Sequence, residues 1–237
     1  NLVLFRELAF AKQRIQTNFS ENEEQLLSIS KSISNGETNQ AYPQEFIHDA
    51  SALVSQHPEI VQVKWLNADS PRSWTYPNIK PKDDWTTRAN VKERLDLELQ
   101  KTYKEARDTG HAQYGSIFEI DPATSNAIFN RQKRWVFWYV IPNSRTGEIQ
   151  GNIAVLYAVQ NILIDVIPKD LTSRHLFSIV GPEGELLFSS SDRKPPRNTI
   201  RHEIPLDKLQ GNLYLRGESY PLPSNLGYRM LLWLVIG

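Results

Sequence analysis

The apolar positions at the start of the chain repeat every seven residues. Phe5, Phe19, Leu26 and Ile33 fall on one position of the repeat and Leu8, Ile15 and Ile29 on another, with Lys12 and Asn22 as polar interruptions. That spacing predicts one long helix. No proline or glycine interrupts it before Asn35-Gly36, a pair that stops helices, so it should extend about 50 Å. Its stripe can pack on the chain's own sheet, meet a second subunit, or do both.

A shorter helix is expected from Pro43 through Phe46, Ile47, Ala50, Leu53 and Val54 to His57, with Pro58 ending it. The period then drops to two. EIVQVKWL at 59–66 sets Ile60, Gln62, Lys64 and Leu66 against Val61, Val63 and Trp65. NADSPRS supplies turn residues, and SWTYP at 73–77 reads as the hairpin partner. Helical spacing returns from Arg88 to Thr109 through Val91, Leu95, Leu99 and Tyr103, and Gly110 closes it. Three strands follow: YGSIFEI at 114–120, RWVFWYVI at 134–141 and GNIAVLYAV at 151–159. LFSIVGPEGELLFSSS at 176–191, TIRHEIPL at 199–206 and NLYLRGESYPL at 212–222 repeat the sheet in miniature, without a long crossover helix. The fold class is α+β: a long N-terminal helix, then two antiparallel-sheet domains in tandem. A chain of 237 residues can bury one large core or two modest ones, and two are expected.

Both ends are apolar. GYRMLLWLVIG at 227–237 has no charge after Arg229, and the chain opens on NLVLF. The closing run supplies roughly half of the ~20 apolar residues a spanning helix needs. It can be a buried terminal strand or helix, or the entrance to a transmembrane helix with Tyr228, Arg229 and Trp233 at headgroup level. The apolar start supports the second reading, a region looped out between two membrane helices. Asn1 is not a start residue, so the chain is expected to be a piece of a longer product.

Composition acts mainly by exclusion. Lysine plus arginine and aspartate plus glutamate number 27 each, so no net field gathers nucleic acid, and none is expected as a partner. The absence of cysteine removes disulfides, thiolate metal sites and a thiol nucleophile. There is no Gly-x-Ser-x-Gly elbow, phosphate loop, His-Glu-x-x-His pair or dinucleotide fingerprint. His48, His57, His111, His175 and His202 lack metal-ligand spacing. No catalytic, metal or cofactor site is expected. The enzymatic alternative is a membrane-tethered hydrolase using Glu119 and Asp121, which alternate on one strand.

Binding leaves a different mark, aromatic walls with a few placed charges. In RQKRWVFWYVIP at 131–142, alternation puts Arg131, Lys133, Trp135, Phe137 and Tyr139 on one face and Gln132, Arg134, Val136, Trp138 and Val140 on the other. One face must pack on the long helix and the other must meet the crossover segment. Cations beside aromatic rings can clamp a carboxylate while the rings exclude water, or can simply lie at the solvated end of an ordinary strand.

The element order, with HPEIVQVKWLNADS, WYVIPNSRTGEIQGNIAVLYAVQNIL and LFSIVGPEGELLFSS, resembles the extracytoplasmic double Cache sensor domains of bacterial histidine kinases and chemoreceptors. These are PDC-type, tandem PAS-like modules, and the C4-dicarboxylate sensor kinases look closest. The resemblance implies a signalling helix at 1–36, a membrane-distal ligand-binding domain at 37–167, a smaller membrane-proximal domain at 168–225, and the start of a second transmembrane helix at 226–237. It further implies a periplasmic domain of an inner-membrane histidine kinase, a homodimer when full-length, which binds a small carboxylate and catalyses nothing itself. A chemoreceptor or a cyclic-dinucleotide enzyme with the same sensor is the alternative. The ligand-binding candidates are Arg134, Lys133, Trp135, Trp138, Tyr139, Tyr157, Tyr76, Trp74, Arg88 and Tyr114. Tyr157 stands where amino-acid-binding relatives carry an acid for the ligand's ammonium group, which points to a ligand without one.

Overall fold

The structure, a computed structural model, describes residues 2–35, 44–67, 73–77, 89–120, 134–145, 148–191, 199–209 and 212–220. Helix α1 (Leu2–Asn35) is 34 residues long. Leu4, Leu8, Ala11, Ile15, Phe19, Asn22, Leu26, Ile29 and Ile33 are buried along one side of it, in steps of three or four. Phe5, which the heptad count puts on this stripe, is 48% exposed, and Leu4 takes the buried place. A helix of 3.6 residues per turn drifts against a strict repeat of seven. Val3, Phe10 and Leu27 leave apolar surface on the outward side.

Helix α2 (Gln44–Gln56) leads into β1 (Ile60–Asn67) and β2 (Ser73–Tyr76), and α3 (Ala89–Thr109) crosses to β3 (Gln113–Tyr114), β4 (Phe118–Ile120), β5 (Arg134–Arg145) and β6 (Glu148–Ala158). These strands form an antiparallel sheet in the order β2-β1-β6-β5-β3, with β4 also on β5. Gly110, at φ +68°, ends α3 in the left-handed region that favours glycine. The expected single strand at 114–120 is two short pieces. Gly115 divides them: its N–H donates to the Trp138 carbonyl at 2.6 Å, and a β-carbon there would stand 2.3 Å from Thr102 Oγ1.

After β6 the chain forms α4 (Val159–Asn161), a π-helical turn (Ile162–Val166) and α5 (Lys169–Arg174). The second sheet holds β7 (His175–Val180), β8 (Leu186–Ser189), β9 (Arg201–Pro205) and β10 (Tyr214–Ser219) in the order β8-β7-β10-β9. The α+β plan of a long helix and two antiparallel sheets is therefore the one observed.

Helix α1 lies across both sheets. A β-carbon on Gly217 of β10 would meet Leu8 Cδ1 and Leu4 Cδ1 at 3.2 and 3.3 Å, and further along the helix Phe19 packs edge-on against Phe137 and Tyr157. One apolar layer runs continuously beneath the helix, from Leu8 through Phe19, Ile162 and Val166 to Phe177 and Leu215. Polar contacts fix the helix over it. Glu7 binds Arg174 Nη1 at 2.6 Å and also His175 Nε2. Lys12, a polar interruption of the stripe, reaches Asp207 Oδ2 at 2.5 Å, and Asn22, the other, reaches Glu59. A second apolar cluster fills the opposite face of the six-stranded sheet, under α3. Among the described residues no helix is long and apolar enough to cross a membrane, and the run at 226–237 lies outside them.

Candidate functional site

Alternation along β5 and β6 assigns each side chain to one of two faces. Phe137, Tyr139, Ile141, Ile153, Val155 and Tyr157 belong to the layer beneath α1, whereas Val136, Trp138, Val140, Ala154 and Leu156 face α3 with Val91, Leu95 and Leu99. Strand β1 obeys the same rule only after a bulge between Ile60 and Gln62. Ile60 therefore joins Val63 and Trp65 under α1 rather than Lys64 and Leu66, and Val61 packs with the α3 cluster.

On the α1 face the rings form a stack. Tyr114 lies on Tyr139 with centroids 4.2 Å apart, and Phe137 on Tyr157 at 5.1 Å. Burial raises the pKa of all three tyrosines above the usual phenol range, with nearby acidic groups, Glu23 in each case, adding to the rise. These groups stay neutral, and the buried Tyr139 hydroxyl has no hydrogen-bond partner among the described residues.

The α3 face has a different chemistry. The Trp138 indole is fully buried and its Nε1–H donates to the Leu95 carbonyl at 2.9 Å. Lys64 Nζ stands 5.2 Å from the centroid of that indole, within cation–π range. The ammonium group is mostly buried and pairs with Asp96 Oδ1 at 3.4 Å. Burial pushes the Lys64 pKa below its ordinary value, and Asp96 pulls the other way. Lys64 is opposite Ala154 on β6, and Leu66 is opposite Asn152. Lys64 and Asn152 are thus diagonal neighbours on one face, about 7–8 Å apart at the backbone. Asn152 is fully buried, and neither its Oδ1 nor its Nδ2 has a hydrogen-bond partner among the described residues. An unpaired buried amide costs about 1–3 kcal/mol. A cation over an indole and, diagonal to the cation across the β1–β6 ladder, an amide with open valences therefore lie on the same face.

No family model matches the chain, and no curated protein matches it. Solved structures do. The ligand-binding domain of the Pseudomonas aeruginosa chemoreceptor PctB, in complex with L-Gln, is similar with a TM-score of 0.56 and 12% identity over 98% of each chain. The corresponding domain of Pseudomonas fluorescens CtaA, with L-alanine, has a TM-score of 0.55 and 15% identity over 92% of this chain and 95% of its own. That of Pseudomonas aeruginosa PctC, with GABA, has a TM-score of 0.53 and 13% identity over 90% of this chain and 96% of its own. The fold is that of chemoreceptor ligand-binding domains.

Within this fold the sequence-derived candidates separate. Trp138 lies on the α3 face. Tyr114, Tyr139, Tyr157, Trp135, Trp74 and Tyr76 pack in or against the α1-side layer. Trp74 lies near Phe46, and Tyr76 donates to Ser51 Oγ at 2.9 Å. Tyr157 thus lies on the α1 face, opposite the face that carries Lys64 and Trp138. Arg134 pairs through its backbone with Ile120, while Lys133 and Arg88 lie outside the described residues. Of the proposed acid–base pair, Glu119 is opposite Trp135 on β5 and Asp121 lies outside the described residues. His175 and His57 serve packing, the first against Glu7 and the second near Glu59 at 3.3 Å. Among the described residues no cluster of histidine and carboxylate side chains could hold a metal.

Lys64, Asp96 and Asn152 were not among those candidates. Lys64 carried a signal, the one cation in EIVQVKWL, and Asn152 carried another, an amide in GNIAVLYAV. A separate open groove between α1 and α2, lined by Ser32, Gln44, Ile47, His48 and Asp49 among others, contains none of the buried unpaired atoms.

Proposed function

We propose that this chain is the extracytoplasmic solute-sensing region of a bacterial membrane receptor, and that it holds a small carboxylate against Lys64, Asn152 and Trp138. The observation that carries this reading is that Lys64 and the buried, unpaired Asn152 are diagonal neighbours on the α3 face of the sheet. A carboxylate oxygen can accept from both groups in a charge-assisted contact, with the indole as an apolar wall. Residues 37–167 would be the ligand-binding unit and 168–225 the smaller unit nearer the membrane, with 1–36 as the connecting helix and 226–237 as the start of a membrane helix. The outward apolar residues of α1 suit a dimer seam in the full-length receptor. The similar structures are named as chemoreceptor domains, which supports a chemoreceptor over the histidine kinase. Those structures hold amino acids or GABA, so carboxylates with an ammonium group belong in the test.

Thermal-shift and calorimetric screening against acetate, succinate, GABA and L-alanine tests the site. Lys64→Gln should abolish the shift given by the wild type. Asn152→Leu should also abolish it while raising the melting temperature of the unliganded protein, because it removes an unpaired amide. A ligand shift retained by both variants would place the ligand elsewhere.

A further inference from the structure

We infer that Asp96 is a resident counter-ion which the ligand's carboxylate displaces from Lys64, so that binding loosens the second turn of α3; this rests on the site proposed above. Two adjacent residues tie that turn to the sheet. The Leu95 carbonyl accepts from Trp138 Nε1, and the Asp96 carboxylate pairs with Lys64 Nζ at 3.4 Å. Lys64 is thus the meeting point of the helix and the indole, with the unpaired amide as its diagonal neighbour across the β1–β6 ladder.

The pair is asymmetric. The Lys64 side chain is 16% exposed and Asp96 43% exposed. When displaced, Asp96 can turn to water at little cost, whereas Lys64 would be left buried without a counter-charge. Lys64 is therefore the fixed member and Asp96 the exchangeable one. Lys92, one helical turn before Asp96, further disfavours the Lys64 charge, and an anion beside Lys64 offsets this. Arg94 and Lys101 do not supply a competing anchor, since both pair with Glu98 at 3.1 Å. Once Asp96 leaves, the first half of α3 keeps its apolar contacts and the Leu95–Trp138 hydrogen bond but loses its one ion pair to β1 among the described residues. Ligand binding and helix release are then coupled through the same ammonium group, and the coupling is limited by the difference in affinity between the two states.

Calorimetric titration of the intact chain with acetate, succinate and GABA, for the wild type, Asp96→Asn and Lys64→Gln, decides the matter. Asp96→Asn should bind acetate and succinate about fivefold more tightly, as expected from removing a competitor worth about one surface-to-buried ion pair. Its amides in α3 should exchange faster without ligand, and ligand should add little further. Weaker GABA binding with unchanged acetate binding would make Asp96 a ligand for the ammonium group and overturn displacement. Unchanged affinity for all three probes, with binding still lost in Lys64→Gln, would overturn displacement and leave the site intact. No binding of any probe to wild type or Asp96→Asn would overturn both.

Discussion

Asn22 Nδ2 donates to Glu59 Oε1 at 2.9 Å, joining the middle of α1 to the start of β1 with both residues almost fully buried. A polar residue in an apolar stripe usually weakens packing and fixes alignment. Here it does both. The contact satisfies a buried carboxylate, and His57 Nδ1 lies 3.3 Å from the same oxygen. Asn22→Ala should destabilise the fold by about 1.5–3 kcal/mol, the range for a hydrogen bond to a charged group. The loss should shrink when Glu59→Gln is already present. Urea unfolding of the four members of that cycle checks it, and an additive result would dissolve the pin.

Gly151 is a second tight point. A β-carbon there would stand 2.5 Å from Trp65 Cζ2 and 2.9 Å from the Leu66 carbonyl, one a ring in the core and the other backbone. Neither can retreat easily. Gly151→Ala should cost about 2–3 kcal/mol and lower the melting temperature by about 5–10 °C. A melting temperature within a degree of wild type would show that the β1–β6 ladder yields.

Trp138→Phe keeps an aromatic ring and deletes the indole N–H, so the Leu95 carbonyl keeps only its helical hydrogen bond and loses the one from the sheet. A loss of about 0.5–1.5 kcal/mol is expected from the hydrogen bond. Hydrogen exchange should accelerate most at amides in the first half of α3. Uniform acceleration across both sheets would mean that the bond does not hold the helix locally.

The stacked tyrosines predict alkaline behaviour. Tyr114, Tyr139 and Tyr157 all have a raised pKa in the folded state, so above about pH 10 the unfolded chain releases protons that the folded chain retains. Stability therefore falls as pH rises through the ordinary phenol range. At about pH 11, adding denaturant should release a further step of tyrosinate absorbance. Tyr139→Phe and Tyr157→Phe should each reduce that step, and full ionisation in the folded protein would contradict the burial.

How much of this was legible beforehand varies with how local the cause is. The reach of α1 to Asn35, the closing of α3 at Gly110 and the opposed faces of β5 follow from neighbouring residues, and the structure has all three. The break at Gly115 does not, because it depends on Thr102 and Trp138 pressing from other elements. The bulge near Ile60 inverts the face of one residue and is invisible in an alternating pattern. Which face of β5 meets α1 was equally hidden. Aromatic density drew attention to Tyr114, Tyr139 and Tyr157, and the structure stacks these rings under α1. Lys64 and Asn152 become noticeable only once register sets them side by side without a partner for the amide.

The unbroken apolar layer beneath α1 has a mechanical consequence. Lys12 is fastened to Asp207 near one sheet and Asn22 to Glu59 near the other, roughly 15 Å apart along the axis. Sliding the helix over either sheet alone would compress or stretch the rod between these fasteners. The helix is therefore held to both sheets at once, and displacing it along either would have to break a contact at Lys12 or at Asn22.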